Sequence, residues 1–344
     1  MSQFIKALYI LHRLSPVFVC LFICLLKVCA RHGLIPFLFL CHFNDLPSAV
    51  KSQVHLLADD CLLYREVNTT QDHYTLQEDL RQLEAWADTW GMRVNASKCH
   101  ILSLLRSFSF FYQLNGTILQ RVTSGSYLGI RISEDLKWGP HISGITKKAN
   151  STLGFIRRNL RRCPPACRNT AYLALVRPLL EYGAAVWDPY LKKDIDLMDR
   201  TQRNAARFIT GDYRSMTPGS VTRLLKKTGL QPLQERRQLL RLTLFCRVVE
   251  GPAPALPPEN FLTQQKPGRL IRARQEPDHV TTNTIGDYIR NNDRAYKIPR
   301  CRTDQLRNSF FINTAADWNH LDNTTVHAAS VQCYKALVAA TQHQ

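Results

Sequence analysis

The chain has 344 residues, 45% of them hydrophobic, and its 45 Lys and Arg against 27 Asp and Glu give a formal net charge of +18. This composition excludes a disordered tail and a collagen-like repeat, because it holds enough apolar residues for a core. The cationic excess predicts an acidic partner such as nucleic acid or anionic lipid, and the length allows about two or three domains. The 11 cysteines lie mostly among apolar neighbours. Such thiols are typically reduced and buried, which favours an intracellular protein over a secreted one.

A strongly apolar run, VFVCLFICLL at Val17–Leu26, dominates the N-terminal part, and a second run follows at Leu34–Cys41. The first run is compatible with the apolar region of a secretory signal. One membrane span covering both runs would hold Lys27 and Arg31 in the bilayer at about 2.5 to 3.5 kcal/mol each near its centre. Neither run alone reaches the ~20 residues of a spanning helix. We therefore expect residues 1–33 to be an apolar leader that is unrelated to the rest of the chain.

A strand, a tight acidic turn and a returning strand are indicated by LLADDCLLY at Leu56–Tyr64, with Asp59 and Asp60 at the tip. Apolar residues at helical spacing predict an amphipathic helix over Asp72–Trp90, which Gly91 ends. Two further strands are predicted, at Cys99–Leu104 and Ser126–Ser133.

Helices replace strands beyond Trp138. One apolar stripe extends over Ile142–Leu160, and the remaining surface of that helix is strongly cationic. The proline-rich GPAPALPP at Gly251–Pro258 marks a boundary, and a basic, weakly structured tail is expected from there to the apolar stretch Phe310–Trp318. Further helices are predicted at about Cys167–Tyr182, which Pro178 kinks, and at Lys193–Ile209, Gly219–Lys227 and Gln234–Val249.

The adjacent carboxylates of Asp59 and Asp60 call for an explanation in a chain of positive net charge. Like charges side by side repel each other unless a cation lies between them. A divalent metal would relieve the repulsion, and nucleic-acid polymerases use two metal ions about 3.5 to 4 Å apart to stabilise phosphoryl transfer. A solvated turn explains the same pair without a metal. On the spacing alone, both interpretations stay open.

The surroundings of this pair resemble the reverse transcriptase of non-LTR (LINE-like, jockey-type) retrotransposons. FNDLP at Phe43–Pro47 precedes LLADDCLLY, EAWADTWGMRVNASKC at Glu84–Cys99 follows it, and a Tyr-Leu-Gly turn comes at 127–129. Similar motifs continue through AYLALVRPLLEYGAAVWDPY and DRTQRNAARFITGDY to SFFINTAADWNHL, so the likeness covers roughly residues 34–321. The resemblance is to the C-terminal part of the enzyme, from the palm hairpin onward.

The resemblance implies roles for particular residues. Asp59 would be the metal ligand of the palm hairpin and Asp60 its less essential neighbour, with Mg²⁺ or Mn²⁺ as the metal. Lys98 would lie close to the incoming nucleotide, although a solvated lysine that opens a strand is the alternative. Tyr127 and Gly129 would belong to the turn that steadies the primer end. A thumb helix would grip the nucleic-acid backbone through Lys147, Lys148, Arg157, Arg158, Arg161 and Arg162.

The fold class expected from these elements is α+β: an incomplete antiparallel palm sheet with a packed helix, followed by a mostly helical, thumb-like region. Four domains are expected. They are the unrelated apolar leader 1–33, the partial reverse transcriptase palm 34–135, the helical thumb-like region 136–250 and the basic, partly irregular C-terminal region 251–344.

The family pattern is interrupted upstream of the hairpin. A working polymerase of this kind needs a further aspartate on the first palm strand, yet the acidic residue present before Asp59 is Asp45, within FNDLP. We therefore expect a truncated, catalytically inactive remnant that still binds RNA or DNA through charge. Its sheet should expose an edge where the first palm strand would pair, unless the apolar leader covers that edge.

Two other hypotheses remain. A secreted or membrane-associated protein would use the apolar run as a signal or anchor and would rest its basic helix on anionic lipid. A functional reverse transcriptase would need the missing aspartate to come from another chain. No oligomeric state is predicted.

Overall fold

The computed structural model describes residues 17–26, 45–57, 60–104, 110–215, 217, 219–251, 256, 258–265 and 292–341. These residues form two compact units that divide after His141. The first unit combines strands with a long helix, and the second, from Ile142 on, is mainly helical. The structure therefore confirms the α+β class. The boundaries between the four domains expected from the sequence stay predictions.

The first unit is built on one larger sheet and two small hairpins. The larger sheet has the strand order β2-β3-β1-β5-β8, and β4 pairs with the end of β1. Its strands are β1 (Val17–Leu26), β2 (Gln53–Leu57), β3 (Asp60–Val67), β4 (Arg93–Val94), β5 (His100–Leu104) and β8 (Gln120–Val122). The hairpins pair β6 (Gln113–Leu114) with β7 (Thr117–Ile118), and β9 (Ser124–Tyr127) with β10 (Ile130–Ser133). Two helices accompany them, α1 (Leu46–Ala49) and α2 (Thr70–Thr89).

The strand β1 lies between β3 and β5 and pairs antiparallel with both. Val19 and Leu21 are fully buried in the core that α2 also lines, so these two residues of the apolar run have an ordinary structural use. The sheet edge that the sequence predicts to be exposed is thus occupied. The expectation that the apolar leader covers it is confirmed for Val17–Leu26, and the second run, Leu34–Cys41, lies outside the described residues. Among the described helices, none is long and apolar enough to cross a membrane.

The amphipathic helix predicted at Asp72–Trp90 is confirmed as α2. Asp72 accepts the N–H of Thr69 at 2.9 Å and that of Asn68 at 3.1 Å, which satisfies backbone donors ahead of the helix. The buried Asp79, in the middle of α2, accepts the N–H groups of Lys51 and Ser52 at 2.8 and 2.9 Å. These two bonds attach the chain just before β2 to the helix, and so help to position the strand that leads to the acidic tip.

The two strands predicted around the acidic turn and the strand at Cys99–Leu104 are also confirmed, as β2, β3 and β5, while residues 58–59 between β2 and β3 lie outside the described residues. The single strand predicted at Ser126–Ser133 is wrong. Two strands, β9 and β10, are joined there by Leu128 and Gly129, whose φ angles are +50° and +77°. Two consecutive positive φ angles make the tight turn that suits the twist of a hairpin. The Tyr-Leu-Gly turn that the resemblance predicts at 127–129 is thus confirmed, although a bulky residue such as Leu128 rarely adopts a positive φ.

The second unit begins with α3 (Gly139–Asn159), which carries the predicted apolar stripe. The helix predicted at Cys167–Tyr182 is divided into α4 (Pro165–Ala171), a π-helical segment (Tyr172–Val176) and α5 (Arg177–Glu181). Pro178 has no N–H to continue a regular helix, and just before it the Arg177 N–H donates to the Tyr172 carbonyl, five residues back. The remaining helices are α6 (Ala184–Trp187), α7 (Lys192–Thr210), α8 (Ser220–Thr228), α9 (Leu233–Val249), α10 (Asp304–Arg307), α11 (Phe310–Asn319), α12 (Asn323–Val326) and α13 (Val331–Thr341).

The tail expected to be weakly structured contains the four helices α10–α13 between Asp304 and Thr341, so that expectation is wrong for this part of it. Trp318, on α11, is fully buried, so its apolar ring holds this helix against the interior. The buried guanidinium of Arg241, on α9, lies 2.8 Å from the carboxylate of Asp188 and 2.9 Å from that of Asp317, on α11. Ion pairs between segments this far apart in sequence leave no periodic signal, which is why the sequence conceals them.

Candidate functional site

The acidic hairpin begins the candidate site, and its tip lies only partly within the described residues. Asp60 opens β3, and its backbone pairs with Leu57 of β2 and with Cys24 of β1. Asp59, the residue to which the resemblance gives the metal, lies outside the described residues. The structure therefore locates the position of the hairpin tip through the register of the strands on either side of it.

Lys98 lies at the same end of the sheet. It closes a short 3₁₀ turn, Ala96–Lys98, directly before β5, and its side chain is exposed. Phe22 pairs with His100 on one side of β1, and Cys24 pairs with Asp60 on the other. Neighbouring strands are about 4.8 Å apart, so the start of β5 and the start of β3 flank β1 at a separation of about 10 Å. The two sequence-predicted positions are thus brought together at one sheet end.

The carboxylates at this end do not fit a two-metal site. Such a site is clamped by ligands on both sides of the two ions. The strand beside the hairpin, β1, reads VFVCLFICLL and contains neither Asp nor Glu. Within the part of the chain that the structure describes, no cluster of three His, Cys, Asp or Glu side chains could hold a metal. Among the described residues, therefore, none provides a donor set that matches the Mg²⁺ or Mn²⁺ that the resemblance implies.

The Tyr-Leu-Gly turn has one buried and one exposed residue. The ring of Tyr127 is 5% exposed and belongs to the interior, whereas Gly129 is exposed at the turn itself. Contact with a nucleic acid would therefore involve the backbone at Gly129 and not the ring of Tyr127. Leu128 holds a positive φ between them, a conformation that is costly for a residue with a branched side chain.

The predicted cationic residues are all exposed, but they do not form a single site. Arg157, Arg158 and Arg161 line one cleft together with Arg168, which the sequence analysis did not single out. We call this the arginine cleft. Its volume is about 820 Å³, and Gly154, Phe208, Gly211 and Tyr213 complete its lining. Lys147, Lys148 and Arg162 are not part of that lining.

Arg168 is held firmly in the wall of the arginine cleft. Its Nη1 donates to the carbonyl of Phe208 at 3.1 Å and its Nη2 to the carbonyl of Arg161 at 2.7 Å. Its guanidinium also lies 5.4 Å from the centre of the Phe208 ring. These contacts fix the position of the charge, and they leave it without a compensating carboxylate among the described residues.

Tyr213 stands on a short loop that follows α7. Gly211 ends that helix with a φ of +76°. Asp212 then accepts the N–H and the hydroxyl of Ser215 at 3.0 and 2.6 Å, and these bonds hold the pKa of its carboxyl below the usual value. The ring of Tyr213 is 47% exposed, and the guanidinium of Arg157 lies 5.6 Å from its centre. An aromatic face is therefore presented beside the arginines.

Comparison with known proteins finds similarity over the part of the chain that contains the acidic hairpin and Lys98. Residues 33–132 match the family model described as reverse transcriptase (RNA-dependent DNA polymerase). That range contains the acidic hairpin, α2, Lys98 and the Tyr-Leu-Gly turn. This part of the chain is therefore similar in sequence to the reverse transcriptase domain.

The similar curated proteins are products of mobile elements of Drosophila melanogaster. The chain is 29% identical over 168 residues to the "Probable RNA-directed DNA polymerase from transposon BS", covering 46% of this chain and 18% of that protein. It is 28% identical over 158 residues to the "RNA-directed DNA polymerase from mobile element jockey", covering 44% and 17%. It is 33% identical over 144 residues to the "Putative 115 kDa protein in type-1 retrotransposable element R1DM", covering 39% and 14%.

The chain thus spans less than a fifth of the length of each of these relatives. The reverse transcriptase family of retrotransposons is the one that these matches support. The match to the transposon BS protein takes in 46% of the 344 residues, more than residues 1–132 contain, so the likeness continues beyond residue 132. Its extent to residue 321, and its restriction to the C-terminal part of the polymerase, stay predictions.

Proposed function

We propose that this chain is a segment of a non-LTR retrotransposon reverse transcriptase that binds RNA or DNA but does not synthesise DNA by itself. The observation that carries the proposal is the composition of β1. In the family, the strand beside the hairpin supplies the second aspartate of the metal site. Here that place is taken by an apolar strand without a carboxylate, and Cys24 pairs with Asp60.

The absence of synthesis follows from electrostatics. Phosphoryl transfer at a polymerase site depends on two divalent ions about 3.5 to 4 Å apart, each held by negative ligands. The hairpin brings at most Asp59 and Asp60, and the neighbouring strand brings none. One acidic pair cannot cage two ions in the geometry that positions both the attacking and the leaving oxygen.

Nucleic-acid binding is supported by the second unit. The arginine cleft presents four guanidinium groups, and none of the described residues that line it is acidic. Among the described residues, none of the four forms an ion pair with a carboxylate, so their charge is available to an external anion. Contacts between arginines and phosphates provide affinity without base preference.

A primer-extension assay on the purified full chain tests the proposal that it does not synthesise DNA by itself. The reaction contains an RNA template, an annealed DNA primer and deoxynucleotides with Mg²⁺ or Mn²⁺. We expect no extension, because the donor set is incomplete, whereas an active reverse transcriptase added to the same mixture extends the primer. Extension that disappears in Asp59→Ala would contradict the proposal.

Fluorescence anisotropy with a labelled copy of the same primer–template, in the same buffer, tests the proposal that the chain binds nucleic acid. We expect binding by the wild type and by Asp59→Ala alike, because the second unit carries the affinity. Failure of the wild type to bind at low salt would contradict this part of the proposal.

A further inference from the structure

We infer that the arginine cleft binds a single, unpaired strand of nucleic acid, with its arginines on consecutive phosphates and Tyr213 against a base. The inference rests on the proposed function and names its ligand more closely. An unpaired strand offers both phosphates and exposed base faces, whereas a duplex encloses its bases and offers mainly its backbone. A cleft that combines guanidinium groups with an exposed ring matches the first kind of ligand.

The arrangement of the arginines fits a strand that runs along α3. Arg157 and Arg158 lie in the last turn of α3, which ends at Asn159, and Arg161 follows in the turn directly after the helix, so three cations lie close together at this end of α3. Arg158 lies against Gly154, because a Cβ added to that glycine would be 3.7 Å from its Nη1. Gly154 therefore leaves room for this guanidinium to extend along the helix surface.

The opposite wall is preorganised by Arg168. Two backbone carbonyls and the Phe208 ring hold its guanidinium, as described above, and a Cβ added to Gly211 would lie 4.0 Å from its Nη1. A charge that is already fixed loses little conformational entropy when a phosphate binds. The cleft volume of about 820 Å³ is within the range of about 300 to 1,000 Å³ typical of ligand sites, which suits a few nucleotide units.

Tyr213 adds the base-binding element. Its loop is closed by the bonds from Ser215 to Asp212 and by the Arg207 Nη2, which donates to the Ser215 carbonyl at 3.1 Å. The Asp212 carboxylate on this loop accepts hydrogen bonds from Ser215 through both of its oxygens, and among the described residues it forms no ion pair with the four cleft arginines. Stacking on an aromatic face tolerates any base, because every base has a π-face.

The test measures the binding of the full chain to two labelled probes by fluorescence anisotropy. One is a twelve-nucleotide oligo-dT strand, and the other is a blunt duplex of the same length. The variants are Tyr213→Leu and the pair Arg157→Gln with Arg161→Gln. The control pair, Lys226→Gln with Lys227→Gln, removes the same charge from exposed positions of α8. The four arginines and lysines to be substituted are exposed, and the side chain of Tyr213 is about half exposed. We therefore expect each variant to fold.

The expected result has two parts. Tyr213→Leu weakens binding of the single strand by about ten-fold and leaves the duplex within two-fold, because base stacking is lost. The Arg157 and Arg161 pair variant weakens the single strand more than the control pair does, and it lowers the slope of log affinity against log salt by about 1 to 2.

Several outcomes would overturn the inference. They are equal affinity of the wild type for both probes, an effect of Tyr213→Leu below two-fold, and equal losses in the two charge-matched pairs. Displacement of the strand by polyglutamate of equal charge as effectively as by unlabelled oligo-dT would also overturn it. If the wild type binds but the cleft variants bind equally well, the inference fails and the proposed function stands. If the wild type binds neither probe, both fail.

Discussion

His141 is a buried base whose protonation opposes folding. It is 3% exposed, at the end of the first unit, and its Nδ1 accepts the N–H of Arg131 at 3.2 Å. Burial lowers its pKa from 6.5 to about 4, because the charged ring would lose its hydration. The neutral ring is therefore the form that fits the structure, and it is also the form that can accept the Arg131 N–H.

The free energy of unfolding should fall as the pH is lowered from about 6.5 to about 4. In that range the unfolded chain binds a proton at this histidine and the folded chain does not, so protonation favours the unfolded state. The loss amounts to about 3 kcal/mol across the window, at about 1.4 kcal/mol for each unit of pKa shift. Urea unfolding at pH 7.5, 6, 5 and 4.5, followed by circular dichroism, measures it.

Two variants separate His141 from other acid-sensitive groups. His141→Gln should flatten the pH dependence by a corresponding amount, whereas the same substitution at the exposed His320 should leave the dependence in place. Identical pH profiles for the wild type and His141→Gln would show that this residue does not carry the effect.

The element on which the first unit depends most is β1. It exchanges backbone hydrogen bonds with strands on both sides, over eight paired residues with β3 and five with β5. Without it, the edges of two apolar strands would be unpaired, and such edges are templates for aggregation. The apolar run that could be a secretory signal in the sequence is thus the middle of a sheet in the structure.

Leu21→Ala should lower the free energy of unfolding of the first unit by about 2 to 5 kcal/mol, because Leu21 is fully buried and its truncation leaves a cavity. Urea unfolding measures the loss, and hydrogen exchange should show faster exchange of the β3 and β5 amides. Ile118→Ala is the matched control, since that side chain is 57% exposed and a change there should cost about 0.5 kcal/mol or less. Equal effects of the two substitutions would exclude β1 from the core.

At the scale of the whole molecule, the formal net charge of +18 determines how the chain interacts with polyanions. A surplus of this size creates an attractive field for polyanions that does not depend on their sequence. Salt screens the field and also reduces the entropy gained when counterions leave the nucleic acid. Affinity for nucleic acid should therefore depend strongly on ionic strength and weakly on base order.

Raising the salt concentration from 50 to 200 mM should lower the affinity of the full chain for a single strand by about a hundred-fold or more, if about five or more phosphates are neutralised. Anisotropy titrations with two strands of equal length and unrelated sequence check this, and their affinities should agree within about three-fold. A ten-fold preference for one sequence, or a salt-independent affinity, would show that base contacts and not charge dominate.

The sequence by itself determined the features that depend on local pattern. The period of the apolar residues located α2, α7 and α9, the acidic turn located the β2–β3 hairpin, and the motifs around that turn indicated a reverse transcriptase. Three of the four cleft arginines were found because they lie close together in the sequence, although α3 holds only Arg157 and Arg158 of the three and ends before Arg161.

Only the tertiary structure decided which distant segments meet. It placed the apolar run beside the acidic hairpin, where its lack of a carboxylate matters, and it brought Arg168 and Tyr213 to the arginines of α3. The physical reason is that strand register and helix packing are set by the burial of side chains from the whole unit. A local pattern shows that a segment will be buried, but it does not show against which partner.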